Sequence, residues 1–268
     1  DESIETVRSD FADLGPSAFD GIDALVHLAW TSVPHSTVRE PRIDVTNNVL
    51  GTLHLLEQCT RAGGVRFVFF STGGAVYGPT SLSKIDETHP VHPISSYGVT
   101  KVAAEHYVRF FERVHGLENV ILRAANAYGP GQGTDSGQGV IAVWLDRIAR
   151  GLPVEICGDG SVVRDYVFVD DLARAVRLAV ESEISGQTYN LGSGTGTSLR
   201  ELLEQIGEIT TITPKVEPVS TRAFDPDVNV LDSSKIRAAL GWEAEVPLAD
   251  GLRRTWDWVQ SRSTSSER

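Results

Sequence analysis

Tyr97 and Lys101, in the stretch Ser95-Ser96-Tyr97-Gly98-Val99-Thr100-Lys101, are the pair with the most direct chemical use in this sequence. On a helix their four-residue spacing stacks both side chains on one face, with the ammonium within reach of the phenol. A free tyrosine loses its proton near pH ~10, so service as a base near neutrality needs a shift of roughly three units, or about 4 kcal/mol. The adjacent ammonium supplies part of that shift, and a second positive charge in the site supplies the rest. The same spacing also occurs on ordinary solvated helices, so the surrounding motifs decide between the two.

The segments that must position this pair alternate strand and helix. Residues 24–29 and 65–71 read as buried parallel strands, with a helix over 44–61 between them that carries Val49, Leu53, Leu56 and Cys59 at helical spacing. A second long helix spans 97–114, and strands follow at 119–125 and 188–191. Such alternation predicts an α/β fold with an open parallel sheet and helices on both faces. After Asn126 the pattern shifts to Gly/Pro-rich turns and shorter elements, which predicts a smaller part interleaved with the sheet. Ser198 and Glu201 form a capping-box pattern that opens a helix. Gly192-Ser193-Gly194-Thr195-Gly196 sits between a strand and a helix as a phosphate-binding turn does, but its spacing is wrong, so it reads as a structural turn.

The 268 residues, 41% of them apolar, suffice for a sizeable core. A net charge of -12 repels nucleic acid and leaves any phosphate-bearing ligand to a few placed Arg, Lys and backbone N–H groups. The apolar runs are strand-sized, so no membrane span is expected, and the first residues do not resemble a signal peptide. Cys59 and Cys157, the two cysteines, exclude a disulfide framework and fit a reducing, cytoplasmic compartment. No cluster has metal-ligand spacing, so no metal is expected.

Eight segments in order resemble the extended short-chain dehydrogenase/reductases, specifically their nucleotide-sugar epimerase/dehydratase branch. They are HLAW (27–30), TNNVLGT (46–52), STGGAVYG (71–78), YGVTK (97–101), LRAANAYGPG (122–131), GDGSVVRDYVFVDD (158–171), YNLGSG (189–194) and LDSSKIRAALGW (231–242). The resemblance implies a Rossmann-like dinucleotide-binding domain over 1–128 and 161–194, and a nucleotide-sugar-binding domain over 129–160 and 195–268. Members of that family begin with a strand, a Gly-x-x-Gly-x-x-Gly turn and a helix that hold the dinucleotide pyrophosphate. That turn is absent here, as is any methionine, so the natural protein is expected to extend upstream of Asp1.

The family pattern also implies roles. Tyr97 is the catalytic base and acid, with Lys101 as its electrostatic partner and a ribose ligand. Thr72 supplies the hydroxyl that meets the reacting oxygen, with Ser71 in reserve, because the usual hydroxyl position falls on Gly73. Asp10 resembles the adenine-contacting aspartate; Leu28, Ala29 and Trp30 line the nicotinamide side; Asn48 supports the active-site helix. His27 reads as a packed strand-end residue. For the substrate, Asn126, Arg164 and Arg222 resemble the contacts to the nucleotide-sugar diphosphate, with guanidinium forks suited to phosphate. Asn229 falls at the position that restricts or admits N-acetylated sugars by its bulk. Asp170, Asp171 and Asp225 read as structural.

Dehydratases of this branch carry an Asp-Glu pair after the catalytic threonine, and decarboxylating relatives a glutamate. Gly73, Gly74 and Ala75 stand there instead, and none of them moves a proton. GGAVYG most resembles the UDP-hexose 4-epimerases. The resemblance therefore implies NAD-dependent 4-epimerisation of a UDP-hexose or UDP-N-acetylhexosamine, with NADP left open, by a homodimer paired through its two long helices. A reductase or dehydrogenase of the same fold, a 4,6-dehydratase, and a non-catalytic binding relative are the alternatives.

Overall fold

The computed structural model describes residues 4–32, 41–134, 137–220 and 226–263, so Arg222 and Asp225 lie outside the described residues. Two 3-10 turns, Phe11–Asp13 and Pro16–Phe19, lead into β1 (Ala24–His27). After it come α1 (Pro41–Asp44), a π-helical turn (Val45–Val49), α2 (Leu50–Ala62), β2 (Arg66–Thr72), α3 (Gly73–Val76), α4 (Ser96–His115), β3 (Asn119–Ala124) and β4 (Asn126–Tyr128). The second half contains α5 (Val140–Ala149), β5 (Val154–Cys157), β6 (Val163–Phe168), α6 (Val169–Glu181), β7 (Gln187–Leu191), β8 (Gly196–Ser198) and α7 (Leu199–Thr210). β9 (Val216–Val219), β10 (Val228–Asn229), α8 (Ser234–Leu240) and α9 (Leu248–Ser263) complete it.

The main sheet runs β1-β2-β3-β7 with every pair parallel. Val68, Val120 and Leu122 on β2 and β3 pack with α6 residues Leu172, Ala175 and Ala179 in one core. Phe67, Phe69 and Ile121 join Leu55, Leu56 and Cys59 of α2 and Ala104, Val108 and Phe111 of α4 in another. Alternate residues of the same strands thus serve opposite cores, the arrangement expected of a sheet buried on both faces. A second sheet, β10-β6-β4 with β8 antiparallel to β6, leads to a third core formed by α5, α7 and α9. Leu231, Ile236 and Trp242 follow residue 195 yet pack in the first core.

The predicted strands and helices are present, with two differences that bear on the site. β2 ends one residue later than expected, which puts Thr72 at the strand end. The helix expected over 44–61 begins at Pro41 and passes through a π-helical turn; the extra residue in that turn lets Asn48 face inward, where it is fully buried. The Ser198–Glu201 capping box forms as read. In the turn from Gly192 to Gly196, the Ser193 and Gly194 N–H groups donate to the Asp165 carboxyl and the Gly192 N–H to Ser233 Oγ, so its donors are already engaged.

His27 packs among Phe11, Trp30, Phe67 and Phe69, and its Nε2 lies 3.0 Å from Thr52 Oγ1. Burial, aided by the Lys101 charge, holds its pKa down at about 3. Unfolded, the ring takes up a proton below about pH 6.5, so the stability tied to the neutral ring is present above that pH and is lost as pH falls from 6.5 towards 3. The full effect is roughly 5 kcal/mol. His27→Leu is expected to flatten the decline in unfolding free energy between pH 6 and pH 4, measured by denaturant titration; an unchanged slope would assign acid lability elsewhere.

Candidate active site

Ser95 caps α4, its hydroxyl accepting from the Gly98 N–H at 3.1 Å. The helix start then comes so close to α3 that a Cβ on Gly98 would meet the Ala75 carbonyl oxygen at 2.5 Å and Pro93 Cβ at 2.9 Å. Tyr97 therefore stands against the end of β2, where Thr72 hydrogen-bonds its phenol. Ser71 turns to the opposite face, and its hydroxyl donates to Glu105 Oε1 at 2.6 Å. Of the two candidate hydroxyls, only Thr72 meets the tyrosine. A side chain at Gly73 is excluded by Leu231, which explains why the hydroxyl is not found there. A Cβ on Gly74 would meet only Thr72 Oγ1, at 3.7 Å, so the space beside the Thr72–Tyr97 pair is open.

Lys101 is enclosed by the strand end and two aromatic rings. Its ammonium donates to the Phe70 carbonyl at 2.8 Å and lies 3.7 Å from the centre of the Trp30 indole and 4.9 Å from that of the Phe69 ring. Burial lowers its pKa to about 7, against the raising influence of Glu105 and Asp44. The Tyr97 phenol is not depressed by that neighbour: burial pushes it up to about 12, the Thr72 bond draws it down, and the Asp44 charge adds to the rise. The physical reason is desolvation, which disfavours the charged form of each group and outweighs their attraction.

Behind this pair lies a buried polar network. Arg123 Nε and Nη2 donate to Glu105 Oε1 and Oε2 at 2.9 and 2.6 Å, its Nη1 donates to Tyr77 Oη at 2.9 Å, and Tyr77 donates to Asn190 Oδ1 at 2.7 Å. In front, Asn48 Oδ1 accepts from the Thr31 N–H and hydroxyl, and its Nδ2 donates to Ser32 Oγ and Asp44 Oδ1. Glu105, Arg123 and Asp44 were not singled out from the sequence. Helical spacing carried a signal for two of them: Tyr97, Lys101 and Glu105 repeat at i, i+4 and i+8, as do Asp44, Asn48 and Thr52.

A cleft of about 750 Å³ opens over the pair. Leu28, Trp30, Ser71, Thr72, Tyr97 and Lys101 line one part; Asn126, Arg147, Glu155, Cys157 and Arg164 line another. Asn126 Nδ2 donates to the Asp165 carbonyl at 2.9 Å, and Arg164 Nη1 donates to the Val163 and Pro226 carbonyls at 2.9 and 2.7 Å. Asp10, Ala29 and Asn229 are not among the residues that line this cleft. Ala29 is exposed and does not line the cleft. The Asp10 carboxyl accepts from the Ala12 N–H at 2.9 Å, capping the first 3-10 turn. Asn229 is fully buried, donates to the Gly73 carbonyl at 3.1 Å and does not line the cleft, because β10 holds it beside β6; a gate on sugar bulk does not fit that placement. Asp171 is structural, accepting from Arg174 Nη2 and the Val246 N–H, and Asp170 faces Arg254 at 3.5 Å. No group of three or more potential ligands for a metal occurs among the described residues.

A parallel α/β sheet with a Tyr-Lys pair and a hydroxyl at its carboxyl edge defines a class, and comparison with known proteins specifies it. Residues 6–192 match the NAD dependent epimerase/dehydratase family. UDP-glucose 4-epimerase of Mycolicibacterium smegmatis is 34% identical over 98% of this chain and 85% of its own length. dTDP-4-dehydro-6-deoxyglucose reductase of Escherichia coli is 32% identical over 86% and 73%. Among solved structures, UDP-glucose 4-epimerase of Thermotoga maritima with UDP-glucose superposes with a TM-score of 0.89 at 38% identity, covering 95% of this chain and 84% of that one. The Thermus thermophilus UDP-glucose 4-epimerase complex with NAD gives 0.88 at 35% identity, covering 94% and 84%. The chain belongs to the NAD-dependent epimerase/dehydratase family, whose members modify nucleotide sugars.

Thr72→Val is expected to lower kcat by roughly one to three orders of magnitude, as loss of a hydrogen bond to the reacting oxygen does. Ser71→Ala is expected instead to lower the unfolding free energy, by on the order of 1 kcal/mol, through the bond lost to Glu105. The opposite pattern would exchange the two roles.

Proposed function

We propose that this protein is a UDP-sugar 4-epimerase acting on a UDP-hexose or UDP-N-acetylhexosamine. The observation that carries the reading is the wall beside the Thr72–Tyr97 pair, where Gly74 and Ala75 line the cleft and no acid follows the threonine. Abstraction of one hydroxyl proton and its return need only the tyrosine; elimination of water needs a further acid and base. Tyr97 takes the proton from the sugar 4-hydroxyl and later returns it, while Thr72 holds that oxygen. The 4-keto sugar turns over between the two events, and the small side chains of Ala124, Ala125 and Ala127, which also line the cleft, leave space for it.

The residues present fit the nicotinamide-ribose half of a dinucleotide. Leu28 offers an exposed apolar flank at the cleft, the buried Trp30 Nε1 has no hydrogen-bond partner among the described residues, and Tyr97 and Lys101 line the same cleft. Bound there, NAD supplies the acceptor and donor of the C4 hydride. Asn126 and Arg164, with Arg222, grip the diphosphate; Asn48 orders the helix that carries Tyr97. Residues 1–128 and 161–194 form the cofactor part and 129–160 and 195–268 the sugar part, with Leu231, Ile236 and Trp242 crossing back to the first core.

A homodimer belongs to the same proposal. Val99, Tyr107, Phe110 and Val114 on α4 and Ile43, Val45 and Leu50 near the start of α2 are all exposed, an apolar surface a second copy would cover. A cytoplasmic location fits the two free cysteines, and no described helix is long and apolar enough to cross a membrane. Sedimentation at micromolar concentration is expected to give a two-chain mass, and a single-chain mass would remove the dimer. Subcellular fractionation that placed the protein in a membrane or secreted fraction would remove the location.

A reductase of the same family is the second reading, favoured by the comparable identity to the E. coli dTDP-4-dehydro-6-deoxyglucose reductase. Incubation with UDP-glucose and with UDP-N-acetylglucosamine, followed by chromatography of the 4-epimers, is expected to show interconversion with no net use of NAD(P)H. Tyr97→Phe is expected to abolish it while UDP-sugar binding stays nearly intact. Stoichiometric cofactor consumption would favour the reductase, and unchanged turnover in Tyr97→Phe would remove the catalytic assignment.

A further inference from the structure

Asp44 is 1% exposed, and its carboxyl accepts four neutral donors. Oδ1 receives Ser32 Oγ at 2.7 Å and Asn48 Nδ2 at 2.8 Å; Oδ2 receives Thr100 Oγ1 at 2.9 Å and Ser96 Oγ at 3.3 Å. No described Lys or Arg lies within ion-pair distance of it. A buried carboxyl without a paired cation is costly, and a neutral amide could tie the same hydroxyls together. The charge itself therefore calls for a purpose. Ser96 and Thr100 each adjoin one of the two reactive residues, Tyr97 and Lys101, on the first turns of α4.

We propose that Asp44 is a positioning residue of the reaction, fixing the start of α4 against the loop that carries Trp30 and holding positive charge on Lys101 from across the helix boundary. The inference rests on the role given to Tyr97 and Lys101 above. Ser32 and Asn48 join the carboxyl to the chain just after Trp30, and Thr31 is held by Asn48 in turn, so the indole over the ammonium and the helix bearing it share one anchor.

The electrostatic half follows from which charges face Lys101. From its own helix come Glu105, whose carboxyl is engaged by Arg123, and Tyr97; from α1 comes Asp44; from β1 comes His27, which stays neutral. Glu105 and Asp44 both raise the Lys101 pKa against burial, and the value of about 7 leaves the ammonium poised to lose its proton near neutrality. Removing the Asp44 charge lowers that value further. The same charge raises the Tyr97 pKa, so its removal makes the phenol easier to ionise while costing it a cationic neighbour. Asp44 thus contributes, beside Glu105, to the pH dependence of the site through Lys101, which a purely structural anchor would not do.

The test titrates Lys101 directly. The chain has four lysines, Lys84, Lys101, Lys215 and Lys235, so carbon-13 NMR of lysine-labelled full chain resolves few signals, and Lys101→Met assigns the one in question. The Lys101 signal is expected to titrate near neutrality in the wild type and at least about one unit lower in Asp44→Asn, with the pH limit of turnover moving alike. An equal midpoint in the two proteins overturns the proposal. Should Asp44→Asn fail to fold, Ser96→Ala with Thr100→Val cuts the α4 side of the anchor and keeps the charge. That variant is expected to hold the Lys101 midpoint while kcat falls by on the order of tenfold at constant KM, and wild-type kcat overturns the anchoring role. The lysine titration uses no substrate, so a protein that shows the shift but no epimerisation refutes the assigned activity and leaves the Asp44 effect standing.

Discussion

The structure depends on keeping one ammonium nearly dry. Among the described residues no carboxylate forms an ion pair with Lys101; a carbonyl on β2 and the faces of Trp30 and Phe69 surround it instead. Charge balance is supplied at one remove, by Asp44 on one flank and by Glu105 on the other, the latter shared with Arg123. Two buried cations and two buried anions thus sit together at the sheet edge. A direct salt bridge would hold Lys101 more firmly but would commit its charge; the indirect arrangement leaves the ammonium able to meet a ligand.

Much of the remaining architecture follows from that requirement. β2 and β3 lie side by side, so Ser71 and Arg123 come into register and both reach Glu105 on α4. The π-helical turn rotates Asn48 inward to bond the loop after β1. Gly98 lets the helix start touch α3, and Gly73 leaves room for Leu231, so the Thr72 hydroxyl and the Tyr97 phenol arrive at one place. Gly74 and Ala75 line the cleft beside that place and bring no proton-transfer group to it, which is the omission that the proposed epimerisation rests on.

The parallel sheet and the Tyr97–Lys101 helix were legible because buried strands and long amphipathic helices leave periodic patterns. The π-helical turn was not, since one inserted residue hardly disturbs that pattern. Thr72 and Ser71 are adjacent, and alternation along a strand says that their hydroxyls point apart without saying which meets the tyrosine; the bond of Ser71 to Glu105 and that of Thr72 to Tyr97 decide it. Sequence spacing reports that a cation neighbours Tyr97 but not how deeply the phenol is buried, and that burial pushes its pKa up to about 12. A position matched along the sequence does not say where its side chain points, and β10 turns Asn229 to the Gly73 carbonyl. Asp44 and Glu105 share a helical repeat with Asn48 and with Tyr97 and Lys101, but only the packing of the helices shows that both carboxyls flank Lys101.

In the proposed epimerisation one site takes the proton from O4 and the hydride from C4 of the sugar and returns both. The most direct measurement places deuterium at C4 of UDP-glucose and locates it in the product by mass spectrometry and NMR. Retention of the label at C4 of the epimer, with no accumulation of reduced cofactor, is the predicted result. Loss of the label to solvent, or its transfer to released cofactor with the 4-keto sugar left behind, would contradict it.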